Sequence, residues 1–251
     1  MSGQSLRGRT ALVTGGGAGL GRASALALAR EGADVALLDI NGAAAEESAG
    51  LVARVGVRSL AVAVDVSDGA AMAMALAQVR ERLGAPLVVF SNAGIGTPPA
   101  LFEHETYEGW RRHFAVHVDG TFHTVHGCLP AMVQARWGRI VCTSSVAATM
   151  GIRGTVAYSA AKGALLGFVR SLALEYATKG ITVNAVAPGF IDTAMFRAVG
   201  EDAVSQVEAS IPMKRQGQPE DIAAAVAYLC AESGRYMTGQ IISPNGGVWF
   251  P

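Results

Sequence analysis

Short apolar runs alternate along the chain with longer alanine-rich segments. The apolar runs show little polar alternation, which is typical of strands covered on both faces of a sheet. The segments between them, such as residues 71–84 and 157–180, have the length and composition of helices. Because strand and helix repeat in turn, the pattern predicts a parallel sheet joined by right-handed crossovers. The predicted strands are residues 10–14, 34–39, 59–65, 87–92, 138–144, 181–187 and 240–243.

The fold class predicted from this order is α/β, with a doubly wound parallel sheet of seven strands and helices on both faces. No linker, repeat or low-complexity tract divides the chain, so we predict one domain over residues 1–251. The longest stretch without a clear pattern is about 189–217. In a compact domain such a stretch is more often a lid or binding loop than a simple connection, so we expect a substrate lid there.

Composition narrows the classes of function. Lys plus Arg number 20 and Asp plus Glu number 20, so no excess positive charge favours nucleic acid. No apolar run reaches the roughly 18 residues of a spanning helix, and the first residues do not resemble a signal peptide. Three widely spaced cysteines without metal-ligand spacing suit a reducing compartment. We therefore expect a cytoplasmic protein with no nucleic-acid or membrane partner and no metal, in which Cys128, Cys142 and Cys230 are ordinary thiols.

A glycine-rich string, TGGGAGLG at residues 14–21, lies directly between the first predicted strand and the first helix. Gly15, Gly19 and Gly21 allow a sharp turn and a close approach of the backbone to a pyrophosphate. The helix N-terminus that follows offers free N–H groups and the positive end of its dipole. The string alone could be only a turn, but its place in a strand–turn–helix unit favours a dinucleotide site.

The second predicted strand ends at Asp39, whose carboxylate can accept hydrogen bonds from ribose hydroxyls and would repel a 2′-phosphate. We therefore expect NAD as cofactor in preference to NADP. Asp39 could instead cap the next helix, and the two roles are compatible. Arg22 could touch a phosphate, but solvent exposure is the expectation for its side chain.

The stretch YSAAK places Tyr158 and Lys162 one helical turn apart, so both face the same way. A nearby ammonium group lowers the pKa of a phenol and so makes it a usable general acid–base. Ser145, at the end of the fifth predicted strand, can hydrogen-bond a substrate oxygen. The alternative is an amphipathic helix with a packed tyrosine and a surface lysine.

Taken together, TGGGAGLG, SNAG at residues 91–94, Ser145, YSAAK and PGFIDT at residues 188–193 resemble the short-chain dehydrogenase/reductase family. The resemblance runs from about Thr10 to Gly247. It implies a single-domain Rossmann fold and hydride transfer between a nicotinamide cofactor and a CH–OH or carbonyl group. It also implies that Tyr158 is the general acid–base, that Lys162 supports it and holds the nicotinamide ribose, and that Ser145 stabilises the substrate oxygen.

The resemblance extends the cofactor site to several further positions. Asp65 and Val66 would contact adenine, and residues 92–94 would border the riboses. Ile191 and Thr193 would hold the nicotinamide carboxamide. Ser91 replaces the first asparagine of the usual Asn-Asn-Ala-Gly motif, and its hydroxyl should still bond the backbone. The full set of expected cofactor-binding residues is Gly15, Gly19, Leu20, Gly21, Asp39, Ile40, Asp65, Val66, Asn92, Ala93, Gly94, Tyr158, Lys162, Pro188, Gly189, Ile191 and Thr193.

His117 departs from the family pattern, which usually has an asparagine here that shapes a helix and holds a water in a proton relay to the lysine. An imidazole can also donate and accept, and it changes charge near pH 6.5. We therefore hypothesise that His117 keeps the relay and adds sensitivity on the acid limb of the pH profile. The alternatives are a packed histidine without a relay role and, with His113 at i, i+4, a metal site that lacks a third ligand.

The expected substrate is a small molecule, a secondary alcohol or its ketone with a hydrophobic body, because the predicted lid carries Phe190, Met195, Phe196, Val199, Ile211 and Met213. A 3-oxoacyl (acyl-carrier-protein type) reductase is the alternative within the same class. Asp39 counts against it, because reductive synthesis usually draws on NADPH. A catalytically silent NAD-binding sensor or scaffold is the non-enzyme alternative. Family resemblance implies a homotetramer.

Overall fold

A computed structural model describes residues 4–197 and 200–250 of the chain. Seven strands form one wholly parallel sheet in the order β3-β2-β1-β4-β5-β6-β7. The predicted α/β fold class, a doubly wound sheet of seven strands, is confirmed. The strands are β1 (Thr10–Thr14), β2 (Asp34–Asp39), β3 (Ser59–Ala63), β4 (Pro86–Ser91), β5 (Gly138–Thr143), β6 (Ile181–Val186) and β7 (Ile241–Ile242).

Helices connect the strands and cover both faces of the sheet. They are α1 (Gly19–Arg30), α2 (Gly42–Ala53), α3 (Gly69–Leu83), α4 (Tyr107–Phe114), α5 (Gly120–Ala135), α6 (Ala147–Met150), α7 (Val156–Tyr176), α8 (Ala194–Arg197), α9 (Glu201–Ser210) and α10 (Pro219–Cys230). A π-helical turn, Ala115–Asp119, joins α4 to α5. Single 3₁₀ turns lie at Phe102–His104, Ala177–Lys179 and Glu232–Gly234.

Two apolar cores lie on opposite faces of the sheet, because successive strand residues point to opposite sides. Leu12 and Leu38 pack with the helices α3, α5 and α7 on one face. Val13 and Leu37 pack with α1, α2 and α10 on the other. Strands buried on both faces explain why their sequences are almost continuously apolar.

All predicted strand limits agree with the structure within two residues. The largest difference is at the third strand, which ends at Ala63, and the seventh strand is only the pair Ile241–Ile242. The last bond of this ladder runs from the Val64 N–H to the Asp39 carbonyl at the end of β2, and the chain then turns at Asp65–Asp68.

Candidate active site

The expected site residues follow the carboxyl ends of the parallel strands, which meet at one edge of the sheet. The glycine string follows β1, Asp39 ends β2, Asn92 follows β4, Ser145 follows β5 and Pro188 follows β6. In an open parallel sheet, ligands bind at this edge, at the point beside β1 where the strand order reverses. The topology therefore brings these scattered segments together.

The glycine loop can accept a group that needs close backbone approach. Gly15 and Gly19 have positive φ angles of 63° and 49°, which other residues rarely adopt. A methyl group on Gly21 would overlap the carbonyl oxygen of Gly15. Helix α1 begins at Gly19, with Leu20 in its first turn and no acidic residue there. This cradle of backbone at a helix N-terminus fits a dinucleotide pyrophosphate.

Side chains form hydrogen bonds with both backbone polar groups of Gly17, the N–H and the carbonyl. Its N–H donates to Asp39 Oδ2 at 2.8 Å, and its carbonyl accepts from Arg22 Nη2 at 2.7 Å and from Ser48 Oγ at 3.0 Å. Arg22 also pairs with Glu47 at 3.0 Å. The expectation that Arg22 faces solvent was wrong, because its partners on α2 could not be seen from local sequence.

One alternative was that Asp39 caps the next helix, and this is not what the structure shows. The cap of α2 is Asn41, whose side chain accepts from the Ala44 N–H. The second Asp39 oxygen accepts from the Asn41 N–H at 2.9 Å. Asp39 thus joins the glycine loop to the start of α2, and Ile40 beside it exposes 74% of its surface at the same edge.

The residues after β4 connect three strands. The Asn92 side chain donates to the Thr14 carbonyl at 3.1 Å and accepts from Thr143 Oγ1 at 3.1 Å. The N–H groups of Asn92 and Ala93 both donate to Thr14 Oγ1. The Ser91 hydroxyl bonds Thr121 Oγ1 at 2.9 Å, and not the backbone as expected.

The segment after β6 lies against the same edge. The Pro188 carbonyl accepts from the Val146 N–H, and the Gly189 N–H donates to the Pro244 carbonyl. Ile191 is buried and bridges to Gly217, so the two ends of the expected lid are joined. The Thr193 methyl lies 3.4 Å from where a Cβ on Gly19 would be, which brings this segment over the glycine loop. Val199 of the expected lid lies outside the described residues.

The adenine side of the expected site is shaped by the turn after β3. Asp65 Oδ1 accepts from the Ser67 N–H and hydroxyl, at 2.9 and 2.7 Å. Val66 is buried against Gly120, where a Cβ would lie 2.7 Å from a Val66 methyl. Asp65 is therefore engaged with its own turn, and its expected contact with adenine stays a prediction.

Ser145, Tyr158 and Lys162 come together between β5 and α7. The Ser145 hydroxyl lies close enough to Tyr158 to lower the pKa of the phenol, and its Oγ accepts from the Ala147 N–H at 3.1 Å. Lys162 is buried, donates from Nζ to the Thr143 carbonyl at 2.7 Å, and lies 5.8 Å from the centre of the Tyr158 ring. An ammonium group in this position is not a surface lysine on an amphipathic helix.

Burial controls the protonation of this group. It lowers the pKa of Lys162 to about 7, and the nearby Cys142 acts weakly in the other direction. It also raises the pKa of Tyr158 above its usual value, against the lowering effect of the Ser145 hydrogen bond. In the protein without cofactor the pKa of Tyr158 is raised and not lowered, because loss of hydration outweighs the Ser145 hydrogen bond. The expected lowering of this pKa by Lys162 stays a prediction for the complex with cofactor.

His117 lies in the π-helical turn, with its ring edge-on to Tyr158 at 5.5 Å. A Cβ on Gly94 would lie 2.6 Å from its Cε1 and 3.6 Å from Lys162 Nζ. Burial, Lys162 and His113 lower the pKa of His117 to about 2. The hypothesis that His117 adds sensitivity on the acid limb was wrong, because the imidazole stays neutral through that range.

An apolar cavity of about 240 Å³ lies at the base of the expected lid. Phe190, Ile191, Ile211 and Met213 contribute apolar walls, and Arg215 and Asp221 form an ion pair at its edge. Neither Ser145 nor Tyr158 lines this cavity.

Within residues 4–197 and 200–250, no group of three or more His, Cys, Asp or Glu side chains is arranged to hold a metal. In the same part of the chain, no helix is long and apolar enough to cross a membrane. The three cysteines are free and buried, which raises the pKa of each thiol to about 12.

Comparison with known proteins agrees with this geometry. A family model described as enoyl-(acyl carrier protein) reductase matches residues 15–249. The chain is 39% identical over 245 residues to a 3-oxoacyl-(acyl-carrier-protein) reductase of Pseudomonas aeruginosa, covering 98% of this chain and 99% of that protein. It is 38% identical to the reductase of that description from Escherichia coli, covering 96% and 98%.

The chain belongs to the short-chain dehydrogenase/reductase family.

The solved structure of a family member is closely similar to the structure of this chain. The 3-ketoacyl-(acyl-carrier-protein) reductase of Brucella melitensis, complexed with NADH, superposes with a TM-score of 0.92 at 30% identity, over 97% of this chain and 99% of that one. The predicted Rossmann fold and the family resemblance are therefore confirmed, and the chain is an oxidoreductase of this family. The relatives' names agree better with the 3-oxoacyl reductase alternative than with a general secondary alcohol dehydrogenase.

Sequence reasoning missed several residues that shape this short-chain dehydrogenase/reductase site. The Thr143 carbonyl holds Lys162, and Thr14 positions residues 92 and 93. Backbone acceptors leave no signature in side-chain identity, so Thr143 could not have been found. His113 was considered only for its spacing to His117, and its position against Tyr158 depends on how α4 packs on α7.

Proposed function

We propose that the protein uses NADH to reduce the 3-oxo group of an acyl thioester to a hydroxyl group, with Tyr158 as the proton donor. The observation that carries the proposal is the group formed by Ser145 and Lys162, both buried, with the half-buried Tyr158 at the edge of the sheet. The names of the relatives at 37–39% identity over nearly the whole chain support the substrate class.

The residues divide the chemistry among them. When bound, NADH supplies a hydride to the carbonyl carbon of the substrate. Ser145 donates a hydrogen bond to the carbonyl oxygen and so stabilises the negative charge that develops there. Tyr158 transfers its hydroxyl proton to that oxygen, and the positive charge of protonated Lys162 stabilises the resulting phenolate. Oxidation of the alcohol is the reverse.

The proposal of NADH and not NADPH rests on the charges beside the glycine loop. The Asp39 carboxylate lies at the expected ribose position and would repel a 2′-phosphate. Arg22, the cation of the first turns of α1, is engaged by Glu47, Ser48 and the Gly17 carbonyl. The NADH complex of the Brucella melitensis relative supports the same choice.

Oxidation of an apolar secondary alcohol with NAD is the second candidate. The apolar walls that Phe190, Ile211 and Met213 give the cavity at the base of the lid support it, although Arg215 and Asp221 lie at the edge of that cavity and Ser145 and Tyr158 do not line it. The expected lid over residues 189–217 and the homotetramer remain proposals for either reaction.

The test follows NADH absorbance with acetoacetyl-coenzyme A as the probe, with NADPH and a panel of apolar ketones in parallel. We expect turnover of the thioester, a preference for NADH, and a loss of about 100- to 10,000-fold in kcat for Tyr158→Phe. The matched control is Tyr176→Phe at the end of the same helix, which should keep full activity. NADH binding, measured by fluorescence, should survive in both variants.

Each other outcome has a meaning. Turnover of the apolar ketones alone would favour the second candidate. A preference for NADPH would contradict the role given to Asp39. NADH binding with no turnover in the wild type, and no effect of Tyr158→Phe, would indicate the silent sensor.

A further inference from the structure

A buried guanidinium lies at the amino edge of the sheet, where the strands begin. Arg139 is the second residue of β5 and is 4% exposed. Ser145 lies six residues farther along the chain, beyond the other end of the same strand, so about 20 Å separate the two positions. The proposed chemistry uses no group at the amino edge. A charge taken out of water is costly unless it is paired, so Arg139 calls for an explanation.

One side of the Arg139 guanidinium has no protein partner. Its Nη1 donates to the Gly138 carbonyl at 2.8 Å and to the Gly180 carbonyl at 3.4 Å. Its Nε is buried, and neither Nε nor Nη2 has a hydrogen-bond partner in the described chain. The Nε–H and one Nη2–H of an arginine point the same way. This side of the group can therefore bind two oxygens of a carboxylate or phosphate at once.

Two other arginines of the protein show this side in use. Arg58 donates from Nε and Nη2 to Asp34 Oδ2, at 3.0 and 2.7 Å. Arg22 donates from the same two nitrogens to the Gly17 carbonyl, at 3.1 and 2.7 Å. The Arg58 and Arg22 side chains are 61% and 28% exposed, so both are better hydrated than Arg139. The most buried guanidinium of the three is thus the one whose Nε–Nη2 side meets no acceptor within residues 4–197 and 200–250.

A second cation lies against the same aromatic ring. The Cζ atoms of Arg9 and Arg139 lie 4.3 and 4.4 Å from the ring centre of Trp137. An aromatic face attracts a cation, but it carries no net charge that could neutralise one. Arg9 and Trp137 are half-buried, so the group of three side chains extends from the interior at Arg139 to the surface.

The acidic side chains at the amino edge are engaged elsewhere. Their partners are Arg58 for Asp34, Ser5 for Glu31 and Arg235 for Glu232. In the part of the chain that the structure describes, no carboxylate lies within 4 Å of the Arg9 or Arg139 guanidinium. Burial lowers the pKa of Arg139, Glu232 acts in the other direction, and Arg9 adds to the lowering. A guanidinium still keeps its charge in proteins, so two neighbouring positive charges stay without a carboxylate partner.

We propose that Arg9, Trp137 and Arg139 form a binding site for a small oxyanion, either a carboxylate or a phosphate group, at the amino edge of the sheet. The Nε–Nη2 side of Arg139 donates to two oxygens of the anion. Arg9 supplies a second positive charge from the outer side, and the Trp137 ring positions both guanidiniums. The site does not depend on the proposed reduction, because the length of a strand separates it from Ser145.

The test titrates inorganic phosphate, and separately acetate, into the full chain by calorimetry at constant ionic strength. Saturating NADH is present, so that phosphate does not bind at the glycine loop. We expect one saturable site per chain, and the anion that binds more tightly identifies the favoured class, phosphate or carboxylate. Without NADH, phosphate should change the fluorescence of Trp137. Trp137→Phe should remove this change while calorimetry still detects binding.

Substitutions separate the paired donors from charge alone. Arg139→Gln should weaken binding at least about tenfold, because a charge-assisted pair of bonds is lost. Arg139→Lys keeps the charge without the two parallel donors, so it should lose about as much. Arg9→Gln should weaken binding about three- to tenfold and leave the NADH-dependent activity unchanged. The matched control is Arg7→Gln, at an exposed position two residues earlier, which should bind as the wild type does.

Several results would overturn the inference. One is the lack of saturable binding of either anion up to about 100 mM, which is far weaker than a specific site. Another is phosphate binding that disappears when NADH is added, because the anion would then lie at the glycine loop. Equal losses in Arg7→Gln and Arg139→Gln would indicate general charge screening. If Arg139→Gln does not fold, as judged by circular dichroism, Arg9→Gln decides, and unchanged affinity in that variant would contradict the site.

Discussion

The Gly17 peptide and the pair of His113 and His117 are two polar features of the same sheet edge with opposite hydrogen bonding. Three side chains bond the backbone N–H and carbonyl of Gly17. These side chains lie on elements as far apart as β2 and α2. Each imidazole has one partner and one buried nitrogen without a partner in the described chain. A pyrophosphate site needs a backbone of fixed shape, which the bonds at Gly17 supply. The difference shows that one edge of the sheet can hold its backbone rigidly at one end while side-chain nitrogens at the other have no protein partner in the described chain.

The largest expected effect breaks the rigid side of this comparison. A Cβ in Gly21→Ala would overlap the Gly15 carbonyl, which is backbone and cannot move aside cheaply. We expect NADH affinity to fall at least about 100-fold, or the free energy of unfolding to fall by about 3 kcal/mol, because overpacking costs about 1–3 kcal/mol or more. Fluorescence titration and urea unfolding measure the two.

The matched control for this substitution is Gly50→Ala in α2, where a Cβ meets nothing within 4 Å. There the change should stabilise the protein by about 0.5–1 kcal/mol, because alanine favours the helix. Equal effects of the two substitutions would contradict a close approach at Gly21.

The next effect concerns Lys162, which lies between the two regions. Its folded pKa of about 7 is below the usual 10.5, so the unfolded chain binds more protons between these values. Stability should therefore rise with pH across this window, by at most about 1.4 kcal/mol per pH unit from this group. Lys162→Met should flatten that part of the curve, measured by urea unfolding at a series of pH values without cofactor. Parallel curves for the two proteins would show that burial does not depress this pKa.

The smallest expected effect tests whether the hydrogen bonds that hold Gly17 depend on the ion pair between Arg22 and Glu47. Glu47 is 64% exposed in its pair with Arg22, so water weakens the attraction. Glu47→Gln should lower the free energy of unfolding by less than about 1 kcal/mol and leave NADH affinity nearly unchanged, because Arg22 keeps Gly17 and Ser48. Glu46→Gln, at the exposed neighbouring position, is the matched control. A loss of NADH affinity above tenfold in Glu47→Gln alone would mean that the ion pair itself holds the loop.

The strand pattern predicted the sheet well because a strand covered on both faces must be apolar throughout. The motif residues could also be placed, since each follows a predicted strand and the carboxyl ends of parallel strands meet at one edge. The solvent exposure of the Arg22 side chain was predicted wrongly, because its partner Glu47 is 25 residues away on another helix. The pKa values of Tyr158 and His117 could not be predicted from the sequence, because a pKa depends on burial. That burial arises only when α4, α5 and α7 pack together.

The π-helical turn Ala115–Asp119 also affects which changes in chain length this region can tolerate. Such a turn holds one residue more than an α-helical turn, which is the mark of a single inserted residue. Deleting one residue there would restore a regular helix, but it would rotate α4 by about 100° relative to α5. His113 would then leave Thr97 while the two ends of the segment kept their helical form. The length of this segment is therefore set by the angle between two helices.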